Sequence, residues 1–215
     1  MMILKNQMEY ISHQPIKALL FDLGGVVIDI DFDQIFYQWA QYSDKPINEI
    51  RSGFKFDQHY EAHERGVITA GEYFNTLRKN LDIDITDSQF EKGWNAIYKG
   101  EFPGISDLLN KIKKQLPVYA FTNSNHLHKK TWSKKFSNIL SVFEKVYISS
   151  DIGKRKPDSE AFIFVAEDIG VELHEILFYD DSIENITGAE KTGLNAVQVK
   201  SIEDIKASIN LFINQ

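Results

Sequence analysis

The chain of 215 residues contains no cysteine, so disulfide frameworks, thiolate nucleophiles and zinc sites built on sulfur are excluded. Any bound metal must be held by oxygen or imidazole. No apolar run approaches the roughly 18 to 20 residues that a bilayer-spanning helix needs. The segment before Lys17 lacks the basic start and apolar middle of a signal peptide. The expectation is a cytoplasmic protein with no membrane partner. Basic residues are scarce as well: 24 Lys and Arg stand against 31 Asp and Glu, for a formal net charge of −7. Clustered positive charge supplies most of the affinity for a polyanion, so nucleic acid is not an expected partner. The run Lys129, Lys130, Lys134, Lys135 reads as a solvated helix face before it reads as a basic patch.

What is present is ordinary for a globular protein, with 43% hydrophobic and 26% charged residues. The length suits one core with a smaller insertion, not two full-sized domains. Five short apolar runs read as buried strands: Ala18 to Phe21, Val118 to Phe121, Val146 to Ile148, Ile176 to Tyr179 and Ala196 to Val199. Between the later ones lie helical spacings such as Ile105, Leu108, Leu109, Ile112, Leu116 and Ala161, Phe162, Val165, Ile169. Strand and helix in alternation predict an α/β fold, a doubly wound parallel sheet covered on both faces. The stretch between the first two strands is far longer than one helix. It carries three further amphipathic patterns: Phe32, Ile35, Phe36, Trp39; Tyr73, Phe74, Leu77, Leu81; and Phe90, Trp94, Ile97, Tyr98. The predicted organisation is a core over 17–31 and 103–215, an inserted helical cap over 32–102, and an N-terminal extension over 1–16.

Ligands of an open parallel sheet bind beyond the carboxyl ends of its strands, where strand order reverses. The residues at those ends are Asp22; Thr122, Asn123 and Ser124; Ser149, Ser150 and Asp151; and Asp180, Asp181 and Ser182. One Asp after a strand is usually a cap or a turn residue. Asp22, Asp180 and Asp181 brought together are different, because like charges repel unless a cation sits among them. Oxygen ligands alone, with room for a substrate phosphate, favour Mg²⁺.

These segments resemble the four motifs of the haloacid dehalogenase (HAD) superfamily: Phe21-Asp22-Leu23-Gly24-Gly25-Val26, Phe121-Thr122-Asn123, Lys156-Pro157, and Ile176 to Asp181 followed by Asn185. A finer resemblance is to the subgroup of bacterial phosphatases that includes α-D-glucose-1-phosphate phosphatase. It rests on the start Phe-Asp-Leu-Gly, the run to Asp29 and Asp31, the segment His63-Glu64-Arg65-Gly66, and Arg155-Lys156-Pro157. The resemblance implies a Rossmann-like core and hydrolysis of a small phosphate ester, such as a hexose 1-phosphate. Asp22 would be the nucleophile and form an aspartyl-phosphate. Mg²⁺ would be held by Asp22, the Gly24 carbonyl and Asp181, with Asp180 a secondary ligand. Thr122, the amides of Asn123 and Ser124, and Lys156 would bind the phosphate. Whether the protein is a monomer or a dimer is not legible.

Ordinary readings stand beside these. A Lys ahead of a Pro that opens a helix is often just exposed, with the Pro as first helical residue. His59 and His63 lie four apart, but without a third ligand they read as a polar helix face or a substrate-facing cap surface. His126 and His128 earn at most a place at the rim of the site. Trp39, Trp94 and Trp132 read as core. One departure from the family stands out: the second Asp that usually follows the nucleophile by two positions is here Gly24. The leaving group then gets its proton from elsewhere, with His59, His63 and Glu64 as cap candidates, or departs without one. Two rival readings are a 2-haloacid dehalogenase, which needs no metal, and a silent HAD-like binding domain.

Overall fold

A computed structural model of the chain describes residues 15–213. The N-terminal extension thus lies outside the described residues, except for Pro15 and Ile16, and Ile16 packs partly buried against the core. The strands are β1 (Ala18–Phe21), β2 (Ile28–Ile30), β3 (Tyr98–Glu101), β4 (Val118–Thr122), β5 (Val146–Ile148), β6 (Ile176–Asp180) and β7 (Asn195–Gln198). Five of them form one sheet in the order β5-β4-β1-β6-β7, and every pairing in it is parallel. The chain leaves β1 toward β4 and β5, then crosses to β6 on the other flank. Strand order therefore reverses at β1, which places a ligand site there.

The insertion carries α1 (Asp33–Tyr42), α2 (Ile47–Gly53), α3 (Gln58–Glu64), α4 (Ala70–Leu81) and α5 (Asp87–Trp94). The core carries α6 (Ile105–Ile112), α7 (His126–Lys135), α8 (Ser137–Leu140), α9 (Ser149–Ile152), α10 (Ser159–Ile169), α11 (Ile183–Thr192) and α12 (Ile202–Ile213). Alternation along β1 sorts its side chains between two cores. Leu19 and Phe21 pack with Ile105 and Leu109 of α6 and Ile205 of α12. Ala18 and Leu20 pack with Phe162 and Val165 of α10 and Ala189 of α11. The sheet is covered on both faces, as a run of apolar residues with no polar alternation requires.

The cap has an apolar cluster of its own, built on Ile35, Trp39, Tyr73, Phe74, Leu77, Phe90 and Trp94. Trp39 and Trp94 stack with centroids 6.0 Å apart, and neither is exposed. Local signals start the last two cap helices. Thr69 with Glu72, and Thr86 with Gln89, each form a capping box that satisfies orphan amides of the first turn.

The sequence pattern that ran Phe90, Trp94, Ile97, Tyr98 as one helix does not hold to its end. Helix α5 stops at Trp94, a 3₁₀ turn spans Asn95–Ile97, and Tyr98 begins β3. Antiparallel pairing with β2 prevails there, with Ile30 opposite Tyr98 and the Asp31 amide bonded to the Ile97 carbonyl at 2.8 Å. This two-stranded ribbon carries the chain out to the helical cap and back.

Candidate active site

Three neighbouring strands end side by side. Phe21 pairs with Ala120 on one flank and with Tyr179 on the other, so Asp22, Thr122 and Asp180 emerge at the same edge. Oxygens of Asp22, Asp180 and the exposed Asp181 lie within 4.8 Å of one another, and among the described residues this is the one such acidic or imidazole group. His59 and His63 form no metal pair. His59 stands half exposed 3.9 Å from Asp57, while His63 is buried and stacks on Tyr73.

Lys156 is driven into this acidic cluster. Its side chain is wholly buried, with Nζ 2.6 Å from Asp180 Oδ2 and 3.0 Å from Asp22 Oδ1. The exposed-lysine reading is therefore overturned, and Pro157 is not the first helical residue because α10 starts at Ser159. Asn123 sets the backbone of this lysine from β4. Its Nδ2 donates to the Lys156 carbonyl and its Oδ1 accepts from the Lys156 amide, both at 2.9 Å. Nothing in the sequence marks that clamp.

The electrostatics follow from burial and crowding. Burial, then Asp180 and Asp181, push the Asp22 carboxyl up from 3.8 to about 7 against the opposing pull of Lys156. Burial and Asp180 likewise raise Asp181. Burial draws the Lys156 ammonium down, but Asp180 and Asp22 outweigh it and hold its pKa above the ordinary value. Three carboxylates against one ammonium leave an uncompensated negative site with oxygen donors only, which fits a divalent cation such as Mg²⁺. Gly25 lets the loop pass beside it. It has φ +81°, and a Cβ there would fall 2.3 Å from Asp181 Oδ2.

Asp180 is the most enclosed of the three. Besides Lys156, it accepts from the Ser182 amide at 2.9 Å and from Asn185 Nδ2 at 3.0 Å. Asp22 takes the Leu23 amide at 2.8 Å on the same Oδ1 that meets Lys156. Ser124 departs from the phosphate-binding expectation. Its amide donates to Ser149 Oγ at 2.8 Å and its hydroxyl accepts from Trp132 Nε1 at 3.2 Å. The Ser124 amide is thus spent on holding β4 to α9.

A cavity of about 90 Å³ opens beside the strand ends, between cap and core. Gly24, Ile30, Thr122, Asn123 and Ser124 line it from the core, and Phe32, Tyr60 and Glu64 from the insertion. Trp132 and His128 also line it while being buried in the protein. Ser149 ties the two sides together, with Oγ 2.7 Å from the Glu64 carbonyl. Arg65 pairs with Asp158 at 2.5 Å and Arg155 with Glu64 at 2.9 Å. Gly66, at φ +68°, passes so near α9 that a Cβ would meet the Ser150 carbonyl at 2.6 Å.

The family description for haloacid dehalogenase-like hydrolases matches residues 16–193. The chain belongs to this family. It is 24% identical over 205 residues to D-ribitol-5-phosphate phosphatase of Bacteroides thetaiotaomicron, covering 93% of this chain and 99% of that one. It is also 24% identical over 184 residues to a sesquiterpene phosphatase of Aspergillus oryzae, covering 83% of this chain and 87% of that one. Among solved structures, a HAD family enzyme of Bacteroides thetaiotaomicron in complex with magnesium and inorganic phosphate superposes with a TM-score of 0.73. The two are 30% identical, over 86% of this chain and 94% of that one. The HAD resemblance drawn from four short motifs, and the Rossmann-like core with a helical cap, are both borne out. No helix among the described residues is long and apolar enough to cross a membrane.

Proposed function

We propose that this HAD hydrolase is a Mg²⁺-dependent phosphatase whose substrate is a small sugar or polyol phosphate, a hexose 1-phosphate being one candidate, and that Asp22 is its nucleophile. The observation that carries the reading is the cluster of Asp22, Asp180 and Asp181 around the buried Lys156. A haloacid dehalogenase would leave that acidic group without a purpose. The small cavity, well below the several hundred Å³ of typical drug-sized sites, suits a small leaving group. The relatives named as phosphatases support the reaction class.

The division of labour follows from the geometry. The insertion over 32–102 serves as the cap and the remainder as the catalytic core. Lys156 and the Leu23 amide hold the Asp22 carboxylate through Oδ1. The carboxylate attacks phosphorus in line, an Asp22 oxygen–phosphorus bond forms, and the bond to the leaving oxygen breaks. Water then cleaves the aspartyl-phosphate to return Asp22 and inorganic phosphate. The Thr122 hydroxyl, the Asn123 amide and Lys156 face the phosphoryl oxygens with fixed donors and positive charge. Mg²⁺ would be held by Asp22, the Gly24 carbonyl and Asp181, with Asp180 as a secondary ligand, and would supply positive charge to offset the negative charge of the nucleophile and the phosphate. Asp180 also fixes Lys156. Hydrolysis of a panel of sugar, polyol and aryl phosphates, with Mg²⁺ and with excess chelator, tests the reading. Chelator should abolish turnover, and Asp22→Asn should lower kcat by roughly a thousandfold or more while folding. Full activity in chelator, or a fully active Asp22→Asn, would overturn it.

A further inference from the structure

We infer that Glu64 of the cap is a specificity-determining residue, accepting a hydrogen bond from a hydroxyl of the leaving group and so selecting polyhydroxylated esters over apolar ones. The inference rests on the phosphatase reading and narrows its substrate class. Glu64 sits at the C-terminal end of α3 with only 4% of its surface exposed, and it lines the cavity that Gly24, Thr122 and Asn123 also line. Among the residues of that lining it is the one carboxylate. Leu23, Ile28, Ile30, Phe32 and Ile97 supply the apolar part of the same lining.

A buried carboxylate in such a wall is costly unless its oxygens are satisfied. Arg155 meets part of that need from outside the cavity lining. Its Nε and Nη2 lie 3.0 and 2.9 Å from Glu64, and both contacts fall on Oε2. The Tyr60 hydroxyl also hydrogen-bonds the carboxyl. Three donors meet a group with about four acceptor positions, so acceptor capacity remains. The guanidinium also fixes where the carboxylate points, because Nη1 is anchored 3.3 Å from Glu61. A fixed acceptor facing a cavity beside the phosphoryl site matches a ligand with a hydroxyl to donate. An alkyl or terpenoid leaving group would bury the carboxylate with an acceptor position unfilled, and sites built to bond a hydroxyl reject analogues that lack it.

The test compares kcat and KM for a five-carbon polyol phosphate and for n-pentyl phosphate, in the wild-type protein and in Glu64→Gln, with Mg²⁺ present. The wild type should prefer the polyol ester, and Glu64→Gln should cut that preference roughly tenfold or more, through KM more than kcat. An unchanged preference in a folded Glu64→Gln overturns the inference, as does a wild type that favours pentyl phosphate or treats the two alike. No hydrolysis of any ester by the wild type would overturn the phosphatase reading itself, and this inference with it. Should Glu64→Gln not fold, singly deoxygenated polyol esters on the wild type decide the matter. Loss of one particular hydroxyl should raise KM about tenfold, and a flat series overturns the assignment.

Discussion

Lys156 Nζ lies between the carboxylates of Asp22 and Asp180, at 3.0 and 2.6 Å, with no part of the side chain open to solvent. The lysine therefore pairs with two acids at once and offsets one of their charges. Lys156→Met should leave both buried carboxylates facing Asp181 without a cation, a situation that typically costs about 3–5 kcal/mol. Added Mg²⁺ should recover part of the lost stability and little of the activity, because the fixed donor to the phosphoryl group is gone. A thermal melt with and without Mg²⁺, alongside kcat, checks both halves. An undiminished melting temperature without metal would contradict the role given to the lysine.

Asp180 and Asp181 are adjacent in sequence and differ in surroundings. Asp180 is fully buried and held by Lys156, Ser182 and Asn185, whereas Asp181 is exposed at the edge of the cluster. Asp181→Asn should raise the Mg²⁺ concentration needed for half-maximal activity about tenfold or more with stability little changed. Asp180→Asn should lower the melting temperature and disturb Lys156. Activity titrated against Mg²⁺, with paired melts, separates the two. Identical profiles for the two variants would remove the distinction.

The histidines give a stability prediction with a defined sign. Burial lowers His63 from 6.5 to about 4, with His126 adding to the effect. Burial also lowers His128 to about 3, although its Nε2 donates to the Trp94 carbonyl at 2.9 Å. Both rings are neutral when folded and take up protons more readily when unfolded. Their contribution is thus fully present above about pH 6.5 and is lost as pH falls toward 4 and 3. His63→Gln and His128→Gln should flatten the fall in melting temperature between pH 6.5 and pH 4. A slope equal to that of the native protein would mean the rings titrate normally. The same shift removes His63 as a proton donor at neutral pH.

The sheet was legible because buried parallel strands announce themselves as short apolar runs, and the acidic cluster because strand ends converge. The ribbon of β2 and β3 was not, since Ile97 and Tyr98 continue a helical spacing and only pairing across some 70 residues of insertion decides their conformation. The links between cap and core were equally silent. Glu64 with Arg155, Arg65 with Asp158, and Ser149 with the Glu64 carbonyl each join segments 85 or more residues apart, and their residue types carry no local signature. The Asn123 clamp on Lys156 and the diversion of the Ser124 amide to Ser149 belong to the same class.

Gly24 stands where most of the family carries the acid that protonates the leaving group. Without that acid, the rate of bond breaking should depend steeply on leaving-group acidity, so aryl phosphates and sugar 1-phosphates should outrun 6-phosphates of the same sugars. Gly24→Asp should restore assistance and raise the rate most on the poorest leaving groups. The backbone permits the substitution. Positive φ falls on Gly25, not on Gly24, and a Cβ at Gly24 would meet only the flexible tip of Ile30, at 3.0 Å. Gly25→Ala is the contrasting control. There both the φ of +81° and a Cβ 2.3 Å from Asp181 Oδ2 should weaken the metal site. Rates across a leaving-group series under chemistry-limited conditions, for the native protein and Gly24→Asp, check the argument. A flat series in the native protein would reveal an acid already in place. Glu64 would then be the first residue to substitute, because it faces the same cavity as Gly24 while His59 is held out near Asp57.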